Sequence, residues 1–295
     1  MNFISTGHRM YLIFNTIALT LLSFVCIFPI LHVLAISFSS KAAVNGGLVT
    51  LWPVDFSLSS YSYVFENKEF LTSFLISLER VALGVFLNVS LAVLVAYPLS
   101  KEATDFPSRT WYAWFFVFTI LFSGGLIPSF LIVKETGLID SIWALLLPGA
   151  IPVFNMLLIM NYLRTLPKAL EESAHIDGAG HFRTLWSIYL PLTMPSLATI
   201  ALFSLVWHWN SWFDGMIYMN RTEHYPLSTY LQSWLSMMNL SQMNMSLEQA
   251  RLLEHVSNRS ARAAQIFIAS VPILLIYPFF QRYFVKGLVI GSVKG

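Results

Sequence analysis

The chain has 295 residues, of which 56% are hydrophobic and only 11% charged, with a mean hydropathy of +0.66. Soluble domains carry about a quarter charged residues, so this composition excludes an ordinary soluble fold. A net charge of +2 is too slight to imply a nucleic-acid partner, and the apolar runs are continuous rather than alternating, which argues against a β-barrel.

A helix needs about 20 mostly apolar residues to cross the hydrocarbon core, and its backbone polar groups must be paired within the helix. Six such spans are expected. The first, Tyr11–Phe38, follows His8 and Arg9 and so mimics a signal peptide. It is too long for a signal core and no small-residue cleavage site follows, so it reads as a retained transmembrane helix. It holds the single cysteine, Cys26, which permits no intrachain disulfide and reads as a small buried hydrophobe. An outer segment, Ser39–Leu71, carries Trp52-Pro53, Tyr61 and Tyr63, which fit an interfacial ledge.

Span two, Thr72–Ser100, contains Glu79, Arg80 and Asn88. Glu79 and Arg80 are sequence neighbours and point apart, so each is expected to pair with another helix or a partner chain. Span three, Thr110–Val133, is interrupted by Ser123-Gly124-Gly125 and Pro128, so its second half is expected as a separate short helix near the outer face. Span four is Ser141–Leu163, span five Pro195–Met219 and span six Ala263–Phe284. Pro29, Pro98, Pro148, Pro152 and Pro272 punctuate these spans and permit kinks. Between spans five and six, Asn220–Arg262 carries LEQARLLEH, which reads as a surface helix. Placing the N-terminus in the cytoplasm gives the inner segments nine Lys or Arg residues and the outer segments seven, spread over more sequence, which is the direction the positive-inside rule prefers.

Intramembrane polar residues are costly and often functional. In span five, Trp207, Asn210 and Asp214 fall on one helical face, flanked by Trp209, Trp212 and Phe213. Aromatic surfaces beside Asn or Asp suit the apolar faces and hydroxyl edges of sugars. These residues, with Asn88 in span two, are the candidates for a substrate path. An aromatic belt at the membrane interface explains the tryptophans equally well.

The inner loop, residues 164–194, is too long for a simple connector. Pro167 suits a first helical turn, and Glu171 and Glu172 then offset the helix dipole. Leu170 and Ala174, and less squarely Ile176 and Ala169, form a small apolar side. Gly178 and Gly180 stop this helix and turn the chain. A second short helix, about His181 to Tyr189, presents Phe182, Leu185, Trp186 and Tyr189 at helical spacing, and Pro191 and Pro195 lead into span five. Such an elbow reads as a helix to be laid in a groove on a partner. A helix lying on lipid accounts for the apolar side but not for the turn.

The spacing of ESAHIDGAGHFRTLWSIYLP at 172–191 resembles the EAA signature of ABC importer permeases. So do AYPLSK at 96–101, FSGGLIP at 122–128, HWNSWFD at 208–214 and the ending PILLIYPFFQRYFVKGLVIGSVKG at 272–295. Together they look like the second-permease branch of the maltose-type carbohydrate importers, and the tail is similar to permeases for complex or plant-polysaccharide-derived oligosaccharides. Ser173 stands where the motif usually has Ala.

The resemblance implies an all-α integral membrane protein, residues 1–295 as a single permease domain of the type I importer fold, with six transmembrane helices and a cytoplasmic coupling-helix loop. It implies that Glu172, Ser173, Ala174, Asp177, Gly178 and Ala179, then Phe182, Leu185, Trp186, Ile188, Leu190 and Pro191, couple to an ATPase. It further implies a heterodimer with a homologous second permease, two ATP-binding subunits that use ATP and Mg, an extracytoplasmic solute-binding protein and an oligosaccharide substrate. The location implied is a bacterial cytoplasmic membrane, with lipid around the chain and both termini in the cytoplasm.

No phosphate-binding GxxxxGK[ST] loop occurs, and there is no Gly-Lys dipeptide. The chain is therefore not expected to hydrolyse ATP or to bind a cofactor itself. No HExxH pair or GxSxG elbow is present. His175, Asp177 and His181 read as solvated loop residues rather than metal ligands. The rival readings are an ion-coupled secondary transporter, for which Glu79 is the one clear intramembrane carboxylate, and a membrane-bound hydrolase using the His and Asp residues.

Overall fold

The computed structural model describes residues 6–237 and 257–292. Among them the chain is almost wholly helical, with one isolated antiparallel bridge, between Ser39 and Phe56. The chain divides into two compact units, Met1–Phe70 with Met237–Pro272, and Leu71–Ser236 with Ile273–Gly295.

The first unit begins with α1 (Thr6–Ser37). No residue in its most apolar window is buried. Cys26 is exposed too, contrary to the expectation of a buried hydrophobe. Apolar residues cover α1 on all sides, which suits a helix surrounded by lipid or membrane partners. Two short helices, α2 (Lys41–Asn45) and α3 (Ser59–Glu66), fold the following segment onto the end of α1. Phe38 stacks on Phe56 and Tyr61, at 5.4 and 4.7 Å between ring centroids, and Ser37 Oγ lies 2.8 Å from Tyr61 OH. The expected ledge therefore divides: Tyr63 is buried, Tyr61 packs on Phe38, and Trp52 stays exposed. The LEQARLLEH segment lies outside the described residues.

The second unit takes up α4 (Lys68–Ser100) from Leu71 onward, followed by α5 (Arg109–Leu121), α6 (Leu126–Glu135) and α7 (Ile142–Leu146). A 3-10 turn, Leu147–Gly149, leads to α8 (Val153–Thr165). Then come α9 (Ala169–Ile176), α10 (His181–Thr184), a π turn (Leu185–Tyr189) and α11 (Leu190–Asn210). The helices α12 (Phe213–Tyr218) and α13 (Leu227–Met237) follow. The last helix, α14 (Asn258–Ser292), begins in the first unit and ends in the second.

Among the described residues, four helices are long and apolar enough to cross a membrane alone: Gly7–Ser37, Lys68–Ser100, His181–Asn210 and Asn258–Gln281. Two bent pairs bring the number to six. Arg109–Leu121 and Leu126–Glu135 meet at 115°, so the Gly-Gly segment does split span three into two helices. Ile142–Gly149 and Val153–Thr165 meet at 47°, between Pro148 and Pro152. Span five differs from its expected limits at both ends. Its helix runs unbroken from His181, because the π turn widens the backbone where the ring of Pro191 would otherwise meet the Ser187 carbonyl. It stops at Asn210 rather than Met219.

Each break frees backbone carbonyls that lipid cannot satisfy, and α4 supplies donors for both bends in spans four and five. Asn88 Nδ2 donates to Gly149 O at 2.9 Å and Ala150 O at 3.0 Å, and its Oδ1 lies 2.9 Å from His208 Nε2. Arg80 Nη1 donates to Ser211 O at 3.2 Å, and the same guanidinium forms an ion pair with Asp214. Ser228 and Thr229 hydroxyls take the Trp209 and Trp212 carbonyls at 2.5 and 2.9 Å. Gly84 lets α4 and α11 approach: a Cβ there would stand 2.4 Å from His208 Nε2. Toward the far end of α4, Ala92, Ala96, Leu99, Met156, Ile159, Leu163 and Ile200 build the main apolar core.

Replacing Arg80 by Met leaves the Ser211 carbonyl and the Asp214 carboxylate without their donor. This should destabilise the purified protein by about 3–5 kcal/mol, read as a lower thermal midpoint in detergent, and Arg80→Met with Asp214→Leu should recover part of the loss. A single variant as stable as the parent would show that the pair does not hold the break.

Candidate functional site

The elbow between α8 and α11 is built from local sequence. Pro167 precedes α9, and Leu170 N donates to Pro167 O at 3.2 Å. At the other end, Ala179 N donates to Ala174 O at 2.9 Å and Gly178 N to His175 O at 3.0 Å. This is the paired cap in which the residue after the helix turns left-handed. That residue is Gly178, with φ +76°, a conformation that costs an L side chain about 1–2 kcal/mol.

The two arms differ from the expected single docking face. Leu185 and Tyr189 are only 4% and 5% exposed and join the core, whereas Phe182 and Trp186 are 71% and 62% exposed. On α9, Ala174 is buried and Ile176 is 86% exposed. The expected apolar side of α9 thus packs inward, and Ile176, Phe182 and Trp186 point away from the chain. Glu172, Ser173, Asp177, Gly178 and Pro191 are exposed, while Ala179, Ile188 and Leu190 are half-buried.

A residue that sequence reasoning treated only as a dipole partner fixes the elbow. Glu171 forms an ion pair with Lys101, just beyond α4, and its Oε2 accepts a hydrogen bond from Tyr189 OH at 2.8 Å. The Lys101 ammonium lies 4.2 Å from the centroid of the Tyr97 ring and 4.8 Å from that of Tyr189. Burial of Glu171 opposes its charge. Hydrogen bonds from Lys101 and Tyr189 outweigh it, helped by the charges of Lys101 and His175, and hold the carboxyl below the usual carboxylate range. A second, exposed ion pair joins Lys168 to Glu102. A cleft of about 980 Å³ runs beside the anchor, lined by Tyr97, Lys101, Arg164, Glu171, His181 and Tyr189 among others. The one sequence signal for this anchor was the Lys that closes AYPLSK.

The proposed substrate-path residues do not form one face. Because α11 ends at Asn210, Asp214 lies on α12, where Arg80 and Ser211 Oγ hold its carboxylate. Asn88 is buried and fully engaged at the span-four bend, and Trp209 is buried edge-on against Phe74. Trp207 and Trp212 remain exposed, as does Asn210, which donates to Val206 O at 2.8 Å. Trp207 packs against Gly149. The group with metal-ligand spacing among the described residues is Glu171, His175 and His181, not the trio with Asp177.

Residues 89–290 match the family model described as binding-protein-dependent transport system inner membrane component. The chain is 38% identical over 277 residues to the polygalacturonan/rhamnogalacturonan transport system permease protein YtcP of Bacillus subtilis (strain 168), covering 94% of this chain and 96% of that protein. It is 28% identical over 298 residues to the maltodextrin transport system permease protein MdxG of the same organism, covering 99% of each. Among solved structures, a chain of a bacterial ABC transporter involved in the import of the acidic polysaccharide alginate superposes with a TM-score of 0.87 at 32% identity, covering 96% of this chain and 100% of that one. The chain therefore belongs to the family of inner membrane components of binding-protein-dependent transport systems, the permease subunits of ABC importers.

Proposed function

We propose that this permease passes an oligosaccharide into the cytoplasm, driven by two partner subunits that hydrolyse ATP with Mg and grip the elbow at residues 172–191. A homologous second permease completes the pathway, an extracytoplasmic solute-binding protein delivers the sugar, and both termini lie in the cytoplasm. The relatives that handle polygalacturonan, rhamnogalacturonan and alginate favour an oligosaccharide cut from a complex polysaccharide as the substrate.

The observation that carries this reading is the form of the elbow. Its inner face is fixed to α4 through Glu171, Lys101 and Tyr189, while Ile176, Phe182 and Trp186 stand exposed among the described residues. Large apolar side chains on a short polar loop suit a groove on a partner. ATP closure on that partner would move the elbow, and through the anchor the helices behind it. Coupling of this kind needs an element with two arrangements that both ends bias.

Two variants test it in the assembled transporter reconstituted in lipid. Gly178→Val meets no atom within 4 Å of its Cβ, so its effect is backbone strain rather than a clash. It should insert normally yet lose most of the ATPase activity stimulated by loaded binding protein; full stimulation would contradict docking through this turn. Lys101→Met removes the ion pair but keeps an aliphatic stem, and loss of one charge-assisted hydrogen bond is worth about 1.5–3 kcal/mol before solvent screening lowers it. Uptake per ATP should fall several-fold and recover in Lys101→Arg. Unchanged coupling in Lys101→Met would remove the anchor from the transmission path.

A further inference from the structure

The turn at Gly178 folds α10 back against α9 and gathers three donor groups that neither arm holds alone. Glu171 and His175 stand four residues apart, and so share one face of α9. His181 is the first residue of α10. One donor atom from each of the three lies within 4.8 Å of the others. The two imidazoles are exposed, with ring centroids 5.3 Å apart and planes at 87°. His181 also lies edge-on to Tyr97, at 6.5 Å between centroids.

We propose that Glu171, His175 and His181 form a site for a divalent transition metal of the zinc class, and that the bound metal pins the two arms of the elbow together. Two imidazoles and a carboxylate with a fourth position left open are a donor set that suits zinc. Imidazoles select against magnesium and calcium, which take oxygen ligands. Donors in a tetrahedral zinc site stand about 3.3 Å apart, so the present spacing must close slightly. Rotation of two exposed imidazoles about their own side-chain bonds supplies that movement.

The carboxylate has room for the metal. A carboxylate offers about four lone-pair sites, of which Lys101 takes one on Oε1 and Tyr189 one on Oε2. Metal-bound carboxylates are ordinarily hydrogen-bonded by further groups that orient them, a part that Lys101 and Tyr189 already play. The Lys101 ammonium opposes a nearby dication, which sets the site apart from permanent structural zinc and makes it reversible. Without metal, the arms are joined by the backbone around Gly178 and by the contacts of Tyr189 and Lys101 with Glu171. A bound ion adds a cross-link over the turn, and on the reading that this elbow transmits ATP-driven motion, it acts as a brake on transport.

The test uses the assembled, tag-free transporter stripped of metal. Cobalt(II) added as an optical probe should give the visible bands of a tetrahedral site, and zinc should displace them at micromolar concentration. His175→Ala and His181→Ala should each weaken binding by about tenfold or more. Micromolar zinc should slow uptake and stimulated ATPase of the parent several-fold, reversibly with chelator, while each variant, whatever its own metal-free rate, should run at the same rate with and without zinc. Absence of the bands in the parent, or bands unchanged in both variants, overturns the site. Bands that follow the histidines while zinc leaves an active transporter unaffected overturn the brake. An assembly without stimulated ATPase in metal-free buffer contradicts the proposed function instead, since the optical signal needs no turnover.

Discussion

A backbone that leaves the helix inside lipid must find hydrogen-bond partners in the protein, and in this chain α4 provides them. Asn88 takes the carbonyls released at the bend of span four, and Arg80 takes the one released where α11 stops. Asp214 keeps the buried guanidinium neutralised, and Gly84 brings α4 close enough to His208 for Asn88 to reach it. Spans four and five can be broken because span two is polar at these two levels. The polar residues of α4 therefore serve the architecture first, and of the residues expected to line a substrate path, Trp207, Trp212 and Asn210 are the exposed ones.

The same helix carries the elbow. Lys101 lies 21 residues beyond Arg80, about 30 Å along the helix direction, roughly the thickness of the hydrocarbon core. There it meets Glu171 and Tyr189, one on each arm of the elbow. The arms are rigid for different reasons. α9 ends in a paired backbone cap, and α10 runs without interruption into span five through the π turn. A push on the exposed side chains of such an elbow would pass to spans two and five together, which gives the proposed coupling a physical route through packed and charged contacts.

Much of this was legible in the residues. Continuous apolar runs gave the number of spans, Ser123-Gly124-Gly125 marked the split of span three, and the opposed directions of Glu79 and Arg80 left Arg80 to pair with another helix or a partner chain; its partner is Asp214 on α12. The elbow and its glycine turn followed from the spacing of Pro167, Glu172 and Gly178. What could not be read was which of several equivalent rows turns inward. Phe182 with Trp186 and Leu185 with Tyr189 are two neighbouring rows at helical spacing, and only the packing against α4 and α8 decides that the second is buried. Glu171 and Glu172 differ by about 100° around α9, so a motif centred on the second gave no sign of the first. Pro191 read as a boundary because a proline removes a helical hydrogen bond; the π turn absorbs that loss. The face drawn through Trp207, Asn210 and Asp214 assumed an unbroken helix, and the tertiary bond from Arg80 is what allows the break.

On the proposed function, the elbow offers the row of Phe182 and Trp186 to a partner and keeps the row of Leu185 and Tyr189 for its own core. Single cysteines at 182 and 185, each in an otherwise cysteine-free assembled transporter, allow a direct comparison. Under mild oxidation with cysteines along the groove of the partner ATPase, Phe182→Cys should cross-link strongly and Leu185→Cys should not. Cross-linking of both to the same extent, or of Leu185→Cys alone, would contradict the account.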